Sequence, residues 1–260
     1  MILPLTFRDV SFEIGGTRLI KDLNCTLEAG PRTMILGANG AGKSLFLRLC
    51  HGLLEPSAGR ISWRGAKGGD PRRDQAMVFQ HPVMLRRSAA ANVAYALKLK
   101  RTPQADWPAI IDDALSHTGL RRLSLTPARV LSIGEQQKLA LARAWALKPQ
   151  VLFLDEPTAS LDPASTHAVE EIINAIHGQG TRIVMTTHDL AQARRLADEV
   201  MFLNRGRLLE MAPADRFFKQ PENDLARAFL KGDLLWWRRG RDNLKRKPSK
   251  PGPNGEGQRR

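Results

Sequence analysis

With 260 residues, 42% of them hydrophobic, the chain can bury a substantial core and form one large domain or two small ones. No stretch nears the roughly 18 uninterrupted apolar residues of a membrane-spanning helix, and the opening MILPLTFRDV has an early acid and no cleavable signal pattern, so the chain is expected to stay in the cytosol. The net charge of +14 would suit a nucleic-acid binder, but residues 238–260 carry nine Lys or Arg against Asp242 and Glu256, so half of the excess lies in the last tenth of the chain.

Residues 7–36 alternate short apolar runs with turns, which predicts strands and hairpins. A glycine-rich loop follows at 37–44. The pattern then predicts a helix over 45–54 and short strands at 61–63 and 76–79. From about Val83 to Lys148 it turns helical and rich in Ala and Leu, with breaks at Thr102-Pro103 and Thr126-Pro127. The second half repeats strand then helix. VLFLD at 151–155 precedes a helix with Val169, Ile172, Ile173 and Ile176 on one face, then come the strand 182–188, a helix over 190–197 and the strand 199–203. Strands apolar on both faces that alternate with helices predict a parallel sheet covered on both sides. Cys25 and Cys50 are too few and too far apart for a disulfide framework or a metal site, and no His pair has ligand spacing; both cysteines read as reduced, mostly buried thiols. The Pro- and Gly-rich segment 236–260 has little to bury and is expected to be a disordered basic tail; there Trp236-Trp237 beside Arg238-Arg239 would suit a membrane surface or pack on the core.

Gly37, Ala38, Asn39, Gly40, Ala41, Gly42, Lys43 and Ser44 fit G-x-x-x-x-G-K-[ST] between a strand and a helix. Such a loop curls backbone N–H groups around phosphates, while the Lys ammonium neutralises their oxygens and the Ser hydroxyl ligates Mg2+. ATP and Mg2+ are therefore the expected ligands. At 151–155 an apolar strand ends in Asp155-Glu156, two carboxylates where an unpaired charge would be costly. In nucleotide hydrolysis Asp155 would hold the metal and Glu156 would orient or deprotonate the attacking water. Read locally, Ser132 and Glu135 are a capping box that opens a helix, and Asp162 caps another with Pro163 at its first turn.

The run Leu131, Ser132, Ile133, Gly134, Glu135, Gln136, Gln137 upstream of Asp155 resembles the signature of ABC ATPases. Gln80 stands where that family has its Q-loop, Ser160-Leu161-Asp162 resembles its D-loop, and His188 matches its switch histidine. The resemblance covers roughly residues 3–230. It implies a P-loop NTPase (RecA-like) α/β core with an N-terminal antiparallel β subdomain and an inserted helical subdomain. The corresponding domain is 1–235, its core 1–83 and 149–235 and its helical part 84–148.

By the same resemblance the chain hydrolyses ATP as a head-to-tail homodimer bound to integral membrane permease subunits at the cytoplasmic face of the membrane, and indirectly serves an extracytoplasmic solute-binding protein. Ser132 and Gly134 would touch the ATP held by the other copy, with Asp162 beside it. Gln80 would sense Mg2+ and the attacking water, and His188 would stabilise the γ-phosphate. Residues 77–93 with 36–39 look like the ATPases of tungstate-type oxyanion importers, although phosphate and amino-acid importers share much of the pattern. Leu85 and its neighbours after the Q-loop are candidates for docking the membrane partner. No nucleic acid is expected, since DNA-repair members insert long coiled coils and translation factors carry two cassettes; a P-loop kinase would lack the signature and the histidine.

Three departures stand out. Ile14 sits about where many relatives stack an aromatic on adenine, Leu45 replaces a frequent Thr after Lys43-Ser44, and Ile133 replaces a Gly that would suit a left-handed backbone. The first two imply somewhat weaker nucleotide binding, against which an ATP affinity far tighter than micromolar would count, and a helical start tolerates the third.

Overall fold

The computed structural model describes residues 1–66 and 69–232. Trp236, Trp237 and the basic stretch 238–260 lie outside the described residues. Strands β1 (Leu5–Ile14) and β2 (Thr17–Leu27) form an antiparallel hairpin through Gly15 and Gly16, and β4 (Ala58–Trp63) pairs with the other edge of β1. Strand β3 (Thr33–Leu36) leaves this sheet and joins a second one of six strands, ordered β5-β6-β7-β3-β8-β9. Its other members are β5 (Gln75–Val78), β6 (Val151–Asp155), β7 (Arg182–Thr186), β8 (Glu199–Asn204) and β9 (Arg207–Pro213).

Why these strands read as continuous apolar runs is visible in what each face touches. Leu152 and Leu154 of β6, Ile183 and Met185 of β7, and Val200 and Phe202 of β8 enter one core with the helices. Their alternates Val151, Phe153, Val184, Met201 and Leu203 enter a second core under the antiparallel sheet. A strand buried on both faces needs apolar residues at every position, and a parallel pairing needs helical crossovers to cover it. Helix α1 (Lys43–His51) fills the space between the sheets, where Phe46 packs on Phe7 at 5.0 Å between ring centres.

Helices α2 (Ala89–Lys100), α3 (Trp107–His117) and α4 (Ile133–Leu147) form the insertion and pack on one another. Trp145 of α4 donates to Asp113 of α3 at 2.8 Å, with His117 stacked on the indole at 4.2 Å. After β6 come α5 (Pro163–Gly178) and, beyond β7, α6 (Leu190–Leu196). The chain continues into α7 (Ala214–Lys219) and α8 (Asp224–Leu230).

The structure corrects the sequence reading in two places. Residues 83–88 are not helical; Ser88 caps α2 by accepting from the Ala91 amide. The buried Asn92 side chain clamps the preceding loop, accepting from Leu85 N–H and donating to the carbonyls of Leu85, Arg87 and Ser88. A run of apolar residues there buries Met84 and exposes Val83, which helical periodicity does not describe. The main sheet is mixed, because β9 pairs antiparallel with β8. Ile133, by contrast, is the first residue of α4 and is absent from the positions of positive φ, the helical start that tolerates its side chain. Both thiols are free, Cys50 buried and Cys25 half-buried. Burial, reinforced by Glu199, pushes the Cys25 thiol up to about 12.

One glycine ties the two sheets together. In the β8–β9 turn Gly206 has φ +78, accepts from Lys21 N–H at 2.8 Å and donates to Ala41 carbonyl at 2.9 Å; a Cβ there would lie 2.0 Å from the Leu19 carbonyl oxygen. Gly206→Ala combines left-handed strain with a backbone clash and should destabilise the fold by about 2–4 kcal/mol, read from urea unfolding midpoints at constant slope. A loss under about 0.5 kcal/mol, the range of ordinary surface substitutions, would contradict this account of the sheet junction.

Candidate functional site

Because β3, β5, β6 and β7 run parallel, their carboxyl ends reach the same edge of the sheet, the edge at which open α/β sheets bind ligands. Residues 37–42 follow β3 there, Gln80 lies two positions past β5, Asp155 ends β6 and His188 lies two positions past β7. The fold thus gathers at one edge residues up to about 150 positions apart.

The loop after β3 cannot carry side chains at its start. Gly37 has φ +151, and a Cβ on it would lie 2.1 Å from the Leu203 carbonyl oxygen. Asn39 and Gly40 are exposed at the rim, and Gly42 caps α1 in the left-handed region. No side chain caps α1, so its first-turn N–H groups keep the partial positive charge of a helix start. Lys43 is buried with 6% exposure; its Nζ donates to the Gly37 and Ala38 carbonyls at 3.0 and 3.4 Å and lies 3.6 Å from Glu156 Oε1. An uncapped helix start, a backbone-lined loop and a buried ammonium together fit a polyphosphate. Leu45, half-buried, packs against the core under the antiparallel sheet and offers no hydroxyl. Ile14 is exposed at the end of β1.

Asp155 is 6% exposed, and its Oδ1 accepts from both Ser44 Oγ and Thr186 Oγ1 at 2.8 Å. A hydroxyl and a carboxylate in contact beside a phosphate loop are the oxygen donors a Mg2+ ion takes when it also binds nucleotide phosphates. Glu156 has φ +45, unusual for a residue with a side chain. Its N–H donates to Thr186 Oγ1 at 2.9 Å and to the Thr186 carbonyl at 3.2 Å, bonds that hold the backbone in that conformation. The conformation turns the carboxylate between a buried ammonium and an imidazole: Oε1 toward Lys43, and Oε2 3.0 Å from His188 Nδ1. A cleft of about 460 Å³ opens beside them, lined in part by Glu156, His188, Thr158 and Leu161.

The remaining candidates sit apart from this cluster. Gln80 is exposed and makes no hydrogen bond among the described residues. Ser132 and Glu135 form the capping box of α4, with Ser132 N–H donating to Glu135 Oε2 at 2.8 Å. Among the described residues neither Ser132 nor Gly134 hydrogen-bonds residues 37–45. A Cβ on Gly134 would meet Ser165 Oγ at 3.0 Å, so the start of α4 leans on the start of α5. There Asp162 accepts from Ser165 N–H at 3.0 Å, and hydrogen bonding with Ser165 holds its carboxyl below the usual range.

Comparison with known proteins settles the family. A family model described as ABC transporter matches residues 20–159. The chain is 38% identical over 217 residues to the tungstate uptake system ATP-binding protein TupC of Peptoclostridium acidaminophilum, covering 83% of this chain and 100% of that one. The chain belongs to the ABC transporter family, as an ATP-binding subunit. It is also 33% identical over 249 residues to the phosphate import ATP-binding protein PstB 2 of Natronomonas pharaonis, covering 89% of this chain and 88% of that one. The solved structure of an ATP binding subunit of an ABC transporter superposes with a TM-score of 0.77 at 26% identity, covering 88% and 99% of the two chains. That of cbiO1 from Clostridium perfringens, part of the cbiONQ complex, gives 0.74 at 28% identity, covering 84% and 91%. The mixed α/β fold with an antiparallel sheet is that of the ABC ATPases, and the chain is an ATPase that energises transport.

Thr186 has no place in the sequence reading, yet it donates to Asp155 and accepts from Glu156. The available signal was the pair Thr186-Thr187 at the end of an otherwise apolar strand. Thr186→Val keeps the shape and removes the hydroxyl, leaving Asp155 one donor short. Stability should fall by about 1–3 kcal/mol and kcat for ATP by roughly tenfold or more, measured by urea unfolding and steady-state phosphate release. Wild-type values for both would contradict the role given to this hydroxyl.

Proposed function

We propose that this chain is the ATPase of an importer, that it works as a homodimer on separate membrane permease subunits, and that its cargo is an oxyanion such as tungstate or molybdate. The observation that carries the catalytic reading is the placement of Glu156 between Lys43 and His188, directly after an Asp155 hydrogen-bonded to Ser44. Residues 37–45 and Lys43 bind the phosphates of ATP. Glu156 accepts a proton from the water as its oxygen bonds to the γ-phosphorus and the bond to the departing ADP breaks, and His188, whose Nδ1 lies 3.0 Å from Glu156 Oε2, stabilises the γ-phosphate. Lys43 neutralises negative charge that builds on the phosphoryl oxygens. Ser44, Asp155 and Gln80 would hold Mg2+, which would supply further neutralisation of the phosphate charge.

What supports two copies is the composition of one site. Lys43, Ser44, Asp155, Glu156 and His188 converge within a chain, while Ser132, Gly134 and Asp162 stand outside that cluster on exposed helix starts. A second copy placed head to tail brings its Ser132, its Gly134 and its α4 N-terminus to the γ-phosphate, where a helix start favours an anion. In this reading residues 84–148 form a helical subdomain carried by the core 1–83 and 149–235. No helix among the described residues is long and apolar enough to cross a membrane, which suits separate permease subunits and a peripheral place at the cytoplasmic face. The loop clamped by Asn92, with Leu85 half-buried and Val83 exposed, is a rigid surface for a permease helix. The cargo reading is supported by the 38% identity to a tungstate uptake ATPase, against 33% to a phosphate import ATPase. An extracytoplasmic binding protein then selects the solute.

The test uses the chain co-purified with its permease subunits and a solute-binding protein in lipid. Tungstate or molybdate should raise phosphate release severalfold, and phosphate, methionine and glutamine should not. Glu156→Gln should lower kcat by about a hundredfold or more while still binding ATP. Stimulation by phosphate or an amino acid alone would replace the cargo, and wild-type turnover in Glu156→Gln would remove the base.

A further inference from the structure

A buried polar network behind the cleft joins the segments that carry Glu156, Asp162 and His188. At its centre is Gln192 on α6, fully buried. Its amide Nε2 donates to Thr158 Oγ1 at 2.9 Å and to Glu170 Oε1 at 3.0 Å, which uses both of its N–H groups. Glu170 on α5 is 4% exposed, and a carboxylate at that depth is costly unless paired. Arg195, one turn along α6, grips it with both arms, Nη2 to Oε1 at 2.7 Å and Nε to Oε2 at 3.1 Å. Burial alone would raise the Glu170 carboxyl, but the hydrogen bonds from Arg195 and Gln192 outweigh it and hold the group below its usual range.

Each end of this network touches a catalytic segment. Thr158 lies two residues past Glu156, and its carbonyl accepts from Leu161 N–H at 3.1 Å, closing the turn that delivers Asp162. At the other end the backbone N–H of Gln192 donates to Asp189, the cap of α6 and the neighbour of His188. Thr158, Glu170, Asp189 and Arg195 line the same cleft as Glu156 and His188. Apolar side chains of equal volume would hold α5 and α6 together as well or better. What a fully satisfied polar network adds is one fixed geometry.

We infer that Gln192, seated by the Glu170–Arg195 pair, is a positioning residue for ATP hydrolysis: through Thr158 it fixes the Glu156–Asp162 loop against the segment carrying His188. The inference rests on the base and switch roles given above to Glu156 and His188. It predicts a loss in the chemical step with ATP binding spared.

Steady-state ATP hydrolysis by the purified full-length chain, with thermal unfolding to confirm folding, provides the test. Gln192→Met and Thr158→Val should each lower kcat by about ten- to a hundredfold and leave KM for ATP within about twofold. Thr158→Ser, which keeps the hydroxyl, should retain the rate. The double variant should lose no more than either single one, because both break one link. Folded variants with wild-type kcat, losses confined to KM, or losses that multiply would overturn the inference. Should Gln192→Met fail to fold, Thr158→Val and the more exposed Arg195→Met read the same link. Glu156→Gln separates the two claims. If it is inactive while Gln192→Met turns over normally, positioning alone fails; if it stays active, the base assignment fails whatever Gln192 does.

Discussion

A negative charge at the tip of a buried strand is the constraint around which this molecule is arranged. Asp155 ends β6, whose every residue is buried, and a carboxylate there needs donors close at hand. It finds them in Ser44, in the first turn of α1, and Thr186, which ends β7. Those two bonds lock the phosphate loop, the strand and its neighbour into one frame. The next residue inherits the consequence, since Thr186 also accepts from the Glu156 amide and holds it at positive φ. Backbone strain of this kind costs about 1–3 kcal/mol and persists where surrounding bonds enforce it.

From that frame the chemistry follows in one direction. The strained turn carries the Glu156 carboxylate between a buried ammonium and an exposed imidazole, while the segment after it is tied back to α6 through Thr158 and Gln192. The helical insertion is built differently. Its start is set by a capping box and its interior by Ala and Leu packing, with the Trp145–Asp113 bond joining α4 to α3. The site is therefore firm on the side of the phosphate loop, and the proposed homodimer would bring the exposed start of α4 from a second copy to complete it.

How much of this was legible in the sequence depends on how local each signal is. The loop at 37–44 declares itself because only glycine fits against the Leu203 carbonyl and at the cap of α1. Asp155-Glu156 stands out as two charges ending an apolar strand, and the capping box at 132 and the helix cap at 162 each link residues three positions apart. Thr186, Gln192 and Glu170 escaped because their partners lie on other elements, 31, 34 and 22 positions away for the bonds to Asp155, Thr158 and each other; no periodicity encodes such pairings. The loop at 83–88 was misread for a related reason. Its apolar residues imitate a helix, whereas its shape is dictated by the side chain of Asn92. Strand β9 was not anticipated, and it makes an antiparallel edge on a sheet whose other pairings are parallel.

In the proposed homodimer one chain holds only part of a working site and ATP joins two copies. Sedimentation of Glu156→Gln measures this most directly, since the variant retains nucleotide and slows its loss by hydrolysis. With Mg2+ and ATP it should sediment at twice the mass it shows with Mg2+ alone, and Ser132→Arg, which crowds the α4 helix start, should keep it at the single-chain mass. A protein that remains monomeric at saturating Mg-ATP, with and without its permease subunits, would contradict the account.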